Sequence, residues 1–170
     1  MRRPYKTMTT PLRIGHGFDI HRLQPGGHLL IGGVLVAEDM SLVAHSDGDV
    51  AIHALVDAIF GALGVGDIGE HFPDSDADWK GKASEYFLAA AVEIAQRHGY
   101  AVASGDVTVQ AEKPKLKPFK HLMREKLSAL CHAPVNVKAG TNEGMDAVGR
   151  GEAIAAHAVV LLTSIASPRS

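Results

Sequence analysis

The sequence predicts an α+β domain of the ferredoxin-like kind, a mixed sheet with helices on one face. Strand-like and helix-like segments interleave along the whole chain. Hairpin turn signals stand between some of the strands, so a full set of crossovers is not needed. Size is the third observation. A chain of 170 residues, 46% hydrophobic and 21% charged, buries a full core as one domain without disulfide staples.

Residues 1–11 are basic and polar, carry a second Met at position 8, and read as an N-terminal extension to a domain over 12–165. Residues 12–21 read as the first strand, and 29–36 as a hairpin turning at Gly32-Gly33. A helix is expected to start near Ser46, because Ser46 and Asp49 have the spacing of a capping box. It runs through Val50, Ile52, Ala54, Leu55, Ala58 and Ile59 and stops among the glycines of 61–66. A polar loop over 66–82 follows, holding Pro73 and four aspartates. Residues 84–98 form an Ala-rich helix closed by Gly99. A strand over 102–111, a helix over 118–130, and strands over 135–139 and 154–163 complete the pattern.

Composition excludes several classes. The net charge of −2 provides no field for a nucleic-acid backbone, although a local basic patch can still hold one phosphate. No apolar run reaches the ~18 residues of a membrane span, and the N-terminus lacks the apolar centre of a secretory signal. Cys131, the one cysteine, has no intrachain partner. Cytoplasmic residence with neither nucleic acid nor membrane as partner is the expectation.

Asp19-Ile20-His21 is the strongest local signal. Residues at i and i+2 of a strand share a face, so Asp19 and His21 converge, and His53 joins them if its helix crosses that face. Two imidazoles and a carboxylate suit zinc and leave a fourth tetrahedral position open. The alternative is that Asp19 ends a strand and the histidines are ordinary. His45 and Ser46 stand at the start of the same helix, where free N–H groups favour an anion; Ser46 as a plain cap is the simpler reading.

The stretches Asp67-Ile68-Gly69 and Phe72-Pro73-Asp74-Ser75-Asp76 offer acceptors for polyol hydroxyls, or are solvated turns. Ala111 to Leu116, with Glu112, Lys113, Pro114 and Lys115, puts backbone groups and lysines where a base and phosphates could be read, or is a basic connection. Gly140-Thr141-Asn142-Glu143, with Arg150 a few residues on, suits a diphosphate carrying a hard cation, or is a tight turn.

In this order the stretches RIGHGFDIHRL, IGG, AHSDGDVAIHAL, GDIGEHFPDSD, DVTVQAEKPKL, VNVKAGTNE and GRGEAIA resemble one family, 2-C-methyl-D-erythritol 2,4-cyclodiphosphate synthase of the non-mevalonate isoprenoid pathway. They span residues 13–163. The resemblance implies a homotrimer with active sites shared between subunits, and a substrate of CDP-methylerythritol phosphate. It implies zinc on Asp19, His21 and His53, and a second divalent cation, Mg²⁺ or Mn²⁺, on Glu143. His45 and Ser46 would meet phosphate, with His45 and Thr141 steadying the transition state. Asp67 and Gly69, with Ile68 and the 72–76 loop, would hold the polyol; the 111–116 segment and Gly140-Thr141 would grip the cytidine half.

Two departures stand out. The family often has Thr-Thr where this chain has Gly140-Thr141, and an aromatic where it has Ala147. Arg150 is retained, but without that aromatic no isoprenoid diphosphate is predicted in a central cavity. The implied reaction is attack of the substrate's own 2-phosphate on the β-phosphorus with loss of CMP, which needs no activating base. A zinc phosphohydrolase of a CDP-linked polyol and a non-enzymatic trimeric carrier are the rival readings.

Overall fold

The computed structural model describes residues 11–73, 79 and 81–165. Residues 1–10 of the expected extension, and Asp74, Ser75 and Asp76, lie outside the described residues.

A five-stranded mixed sheet is the platform. β1 (Leu12–Pro25) runs antiparallel between β4 (Met40–Leu42) and β7 (Ala153–Ser164). On the other side of β7 lies β5 (Tyr100–Gln110), antiparallel to it. β6 (Val135–Gly140) then closes the edge parallel to β5, so the order is β4-β1-β7-β5-β6. That parallel pair needs a crossover. It is made by a 3-10 turn at Lys117–Phe119 and α4 (Lys120–Cys131), close to the helix expected at 118–130. β2 (Leu29–Ile31) and β3 (Val34–Ala37) form a separate hairpin. Gly32 and Gly33 turn it at φ 61° and 72°, the left-handed pair that short hairpins favour.

Helix α1 (Val50–Leu63) is the centre of the core. Eleven of its 14 residues are buried, so it is apolar almost all round, as a helix enclosed on every side must be. It lies between the sheet and α3 (Ser84–Arg97). The helix-facing side of the sheet presents Val107, Val109, Ala156, Ala158 and Val160, all fully buried. By strand periodicity the opposite face carries Ile14, Phe18, Ile20 and Val159, all exposed.

Three differences from the sequence reading have plain causes. β1 continues to Pro25 because Leu23, Gln24 and Pro25 find partners on β4. Asp49, not Ser46, caps α1: its carboxylate accepts from Ala51 N at 3.1 Å and Ile52 N at 3.2 Å, one residue before the helix. The same carboxylate accepts from Gly32 N and Gly33 N at 2.8 and 2.7 Å, tying the helix start to the hairpin. Finally, β4, α2 (Ile68–His71) and α5 (Asp146–Gly149) are three or four residues long, too short to show a period.

Candidate metal centre and adjoining pockets

The register of β1 on α1 brings the metal-ligating types together. Gly15 and Gly17 present no side chain to α1; a Cβ on either would lie 1.8 Å from Ala58 O or 2.0 Å from Ala54 O. The strand backbone therefore lies directly on a row of alanines. The next two residues on that face are Asp19 and His21, and they meet the first turn of α1, where His53 projects.

Asp19 Oδ2 lies 3.0 Å from His53 Nδ1 and 3.1 Å from His21 Nε2. The three ligand atoms fall within 4.8 Å of one another, the one such cluster among the described residues. Their side chains are 20%, 12% and 23% exposed for Asp19, His53 and His21, shielded yet open on one side. Burial pushes the Asp19 carboxyl up, but the close approach and charge of His21 and His53 outweigh it and hold it well below the usual carboxylate range. Burial pulls His53 down, and the Asp19 hydrogen bond and charge more than reverse that, so its pKa is raised.

A divalent cation fits here. His21 Nε2 is buried and makes no hydrogen bond, although it lies at ion-pair distance from Asp19. A buried ring nitrogen without a hydrogen-bond partner is costly unless its lone pair has a cation to meet. Two imidazoles and a carboxylate are also the borderline donor set such an ion takes.

Beside the triad opens a cavity of about 600 Å³. His45 and Ser46 line it next to the ligands, Ile68 and Gly69 line it from α2, and Phe72, Trp79 and Phe87 give it an aromatic wall. The expected anion site at the start of α1 needs correcting. His45 and Ser46 precede the helix by several residues, and two of its free N–H groups are already taken by Asp49. Asp67 does not line the cavity; its carboxylate accepts from Glu70 N at 2.9 Å and caps α2.

A second cavity, about 300 Å³, lies at the other edge of the sheet. Ala111, Lys115 and Leu116 line one side, and Gly140 and Thr141 the other, with Lys117 and Lys120 adding charge. Thr141 Oγ1 donates to Glu143 Oε1 at 2.8 Å, and Glu143 sits in the left-handed region at φ 51°. Lys113, Pro114, Asn142 and Glu143 border this region without lining either cavity. Arg150 is turned to Glu152 in an exposed two-point ion pair. Asp19, Ala156, Val109 and Ala139 are cross-strand partners in a single row. Three strand spacings of ~4.8 Å put the metal centre and the second cavity on the order of 14 Å apart across one chain.

Several residues of the site escape a sequence reading. Ser84, fully buried at the start of α3, places its hydroxyl 2.9 Å from His53 Nε2. Asp47 accepts from that same hydroxyl and, at 2.9 Å, from Ser84 N. Glu112, named in the sequence only as part of the 111–116 segment, accepts from Asn142 N at 3.0 Å and steadies the 142–144 turn, a role the sequence did not suggest. Only the alternation of glycines at 15 and 17 before Asp19 was open to reading as a close approach.

Comparisons with known proteins show which family the chain belongs to. A sequence profile of the YgbB family matches residues 12–163. The chain is 50% identical over 159 residues to the chloroplastic 2-C-methyl-D-erythritol 2,4-cyclodiphosphate synthase of Arabidopsis thaliana, covering 92% of this chain and 69% of that one. To the synthase of Nitrosococcus oceani it is 49% identical over 154 residues, covering 89% and 98%. A solved 2C-methyl-D-erythritol-2,4-cyclodiphosphate synthase in its CDP-bound form superposes with a TM-score of 0.82 at 38% identity, over 88% of this chain and 99% of that one. With the profile covering nearly the whole sheet and both cavities, the chain belongs to the YgbB family.

Proposed function

We propose that this chain converts 4-diphosphocytidyl-2-C-methyl-D-erythritol 2-phosphate to 2-C-methyl-D-erythritol 2,4-cyclodiphosphate and CMP. The observation that carries the reading is the Asp19–His21–His53 cluster opening into a cavity, in a chain close to half identical to named synthases.

The reacting oxygen belongs to the substrate. Its 2-phosphate is already ionised near neutral pH, so no side chain has to remove a proton. The difficulty is to fold two anionic groups together, and positioning accounts for much of the rate in such intramolecular attack, up to ~7–11 kcal/mol. His45 and Ser46 donate to phosphate oxygens at the cavity mouth. Ile68 and Gly69 hold the polyol, and the aromatic wall excludes water behind it. At the second cavity, the 111–116 segment with Gly140 and Thr141 grips the cytidine half, and the lysines face its phosphates. His45 and Thr141 steady the charge that develops as CMP leaves. Zinc on Asp19, His21 and His53, with Mg²⁺ or Mn²⁺ on Glu143, would supply the Lewis acidity that offsets repulsion between the phosphates.

A gap on the order of 14 Å between the two halves supports a homotrimer, in which a site joins the metal half of one chain to the nucleotide half of the next. Phosphorus NMR of the product tests the reaction. A cyclic diphosphate alongside CMP is expected; a linear phosphate with CMP would make the chain a phosphohydrolase, and no turnover would make it a carrier.

A further inference from the structure

The Ser84 hydroxyl and the Asp47 carboxylate form a two-step hydrogen-bond chain that ends on the metal-centre histidine, and neither residue touches the proposed ion or substrate. Two contacts fix the direction of that chain. Ser84 Oγ donates to Asp47 Oδ1, and this uses the one hydroxyl proton of Ser84. Ser84 Oγ is then left with lone pairs alone toward His53 Nε2, 2.9 Å away, and that nitrogen must be the donor. When a cation displaces the Nδ1 proton that meets Asp19 Oδ2, a ring that keeps its proton on Nε2 turns the Nδ1 lone pair to the point between Asp19 Oδ2 and His21 Nε2 where that cation would sit.

From this geometry we infer that Ser84, oriented by Asp47, is a positioning residue that selects the metal-binding tautomer and ring orientation of His53. The inference rests on the reading of Asp19, His21 and His53 as metal ligands. Burial makes the device rigid: Ser84 is 0% exposed, and its backbone N–H is held by Asp47 Oδ2 at 2.9 Å, so the hydroxyl has little freedom to turn away. Ser46 Oγ is a second, longer partner of His53 Nε2 at 3.3 Å. It also accepts from Gly48 N and lines the cavity, where a phosphate would compete for it. Ser84 is the partner that substrate does not reach, as it does not line the cavity.

Asp47 has a structural duty as well, capping α3 through Ser84 N. The two duties separate cleanly, because Ser84→Ala keeps the backbone N–H and its cap while deleting the hydroxyl. The test is zinc affinity by competition with a chromogenic chelator, measured on full-length wild type, Ser84→Ala, Asp47→Asn, the double variant and His53→Ala. Each metal-free protein is also melted.

Wild type should bind about one zinc per chain and His53→Ala far less; a wild type that binds none ends the metal reading itself. Loss of an outer hydrogen-bond partner typically weakens a metal site ~10–100-fold, and Ser84→Ala should fall in that range. Asp47→Asn should weaken zinc in the wild-type background and have no further effect on it once Ser84 is Ala, even if it lowers the melting point of both. Nitrogen NMR of the loaded wild type should show a protected His53 Nε2–H that Ser84→Ala exposes to exchange. Zinc affinity within twofold of wild type in a folded Ser84→Ala, or an Nε2 without a proton in loaded wild type, overturns the inference while leaving the metal site standing. Should Ser84→Ala fail to fold, the proton on Nε2 and the affinity of Asp47→Asn decide alone.

Discussion

In the metal-free protein Asp19 and His53 form a charge pair 3.0 Å apart, and this makes its stability depend on pH. The Asp19 carboxyl, pushed up by burial, is pulled well below its ordinary 3.8 by the two histidines. Its contribution is therefore present above about 3.8 and fades as pH falls through the lower folded value. His53, pulled down by burial and raised further by Asp19, lies above its ordinary 6.5. That contribution is complete below about 6.5 and fades as pH rises through the folded value. Urea midpoints of metal-free wild type should thus be highest between these limits and decline on the alkaline side. His53→Ala, which keeps a good helix former in α1, should lose that alkaline decline. Zinc should invert the trend, since binding has to displace ring protons and strengthens as pH rises. Identical flat profiles for metal-free wild type and His53→Ala would remove the charge pair from the account. At this scale Asp19 and His21 were legible because strand periodicity alone puts them on one face. Ser84 was not, because its meeting with His53 depends on how α3 docks, 31 positions along the chain.

Between elements, the decisive contact is that of a glycine strand on an alanine helix. Gly15 and Gly17 let β1 settle on Ala54, Ala58 and Ala62, and this depth sets the distance at which Asp19 reaches His53. In Gly17→Ala, the added methyl would sit 2.0 Å from Ala54 O and 2.7 Å from Ala58 N, both backbone atoms of fully buried alanines. Neither can move alone, so strand and helix must part. Overpacking of this kind costs ~1–3 kcal/mol, and here zinc affinity should fall with stability. Gly140→Ala, which meets nothing within 4 Å, is the stability control. Equal urea midpoints and zinc affinities for Gly17→Ala and wild type would show that the close approach does not set the site. The long elements were readable from their periods, whereas the start of α1 was not. Ser46 has the capping spacing, but Asp49 is adjacent to the helix and also serves the β2–β3 hairpin, a tertiary demand that no local pattern displays. Among the described residues, no helix is long and apolar enough to cross a membrane.

At the scale of the whole molecule, strand order separates what the motifs suggested was one site. The sequence brings the metal ligands and the Gly140-Thr141 segment into view as parts of a single constellation, but only the topology shows that β7 and β5 lie between them. One substrate engaging both cavities within one chain would have to cross those strands. The exposed Ile14 and Phe18 on the open sheet face give a second reason to expect association, since an apolar face of that kind is commonly covered by a partner. In a closed ring with heterologous contacts, each interface would join the metal half of one chain to the proposed nucleotide half of its neighbour. Mixing two defective chains tests this. His53→Ala ruins the metal half, and Gly140→Trp fills the second cavity without touching the first. Each alone should assemble into inactive rings, as checked by native mass spectrometry. Refolded together in equal amounts, about one interface in four should pair two intact halves, by random assembly of a cyclic trimer. The mixture should therefore regain roughly a quarter of wild-type turnover per site. Mixed rings that remain inactive would place both halves of each site in one chain, and the substrate would then have to bridge β7 and β5 after all.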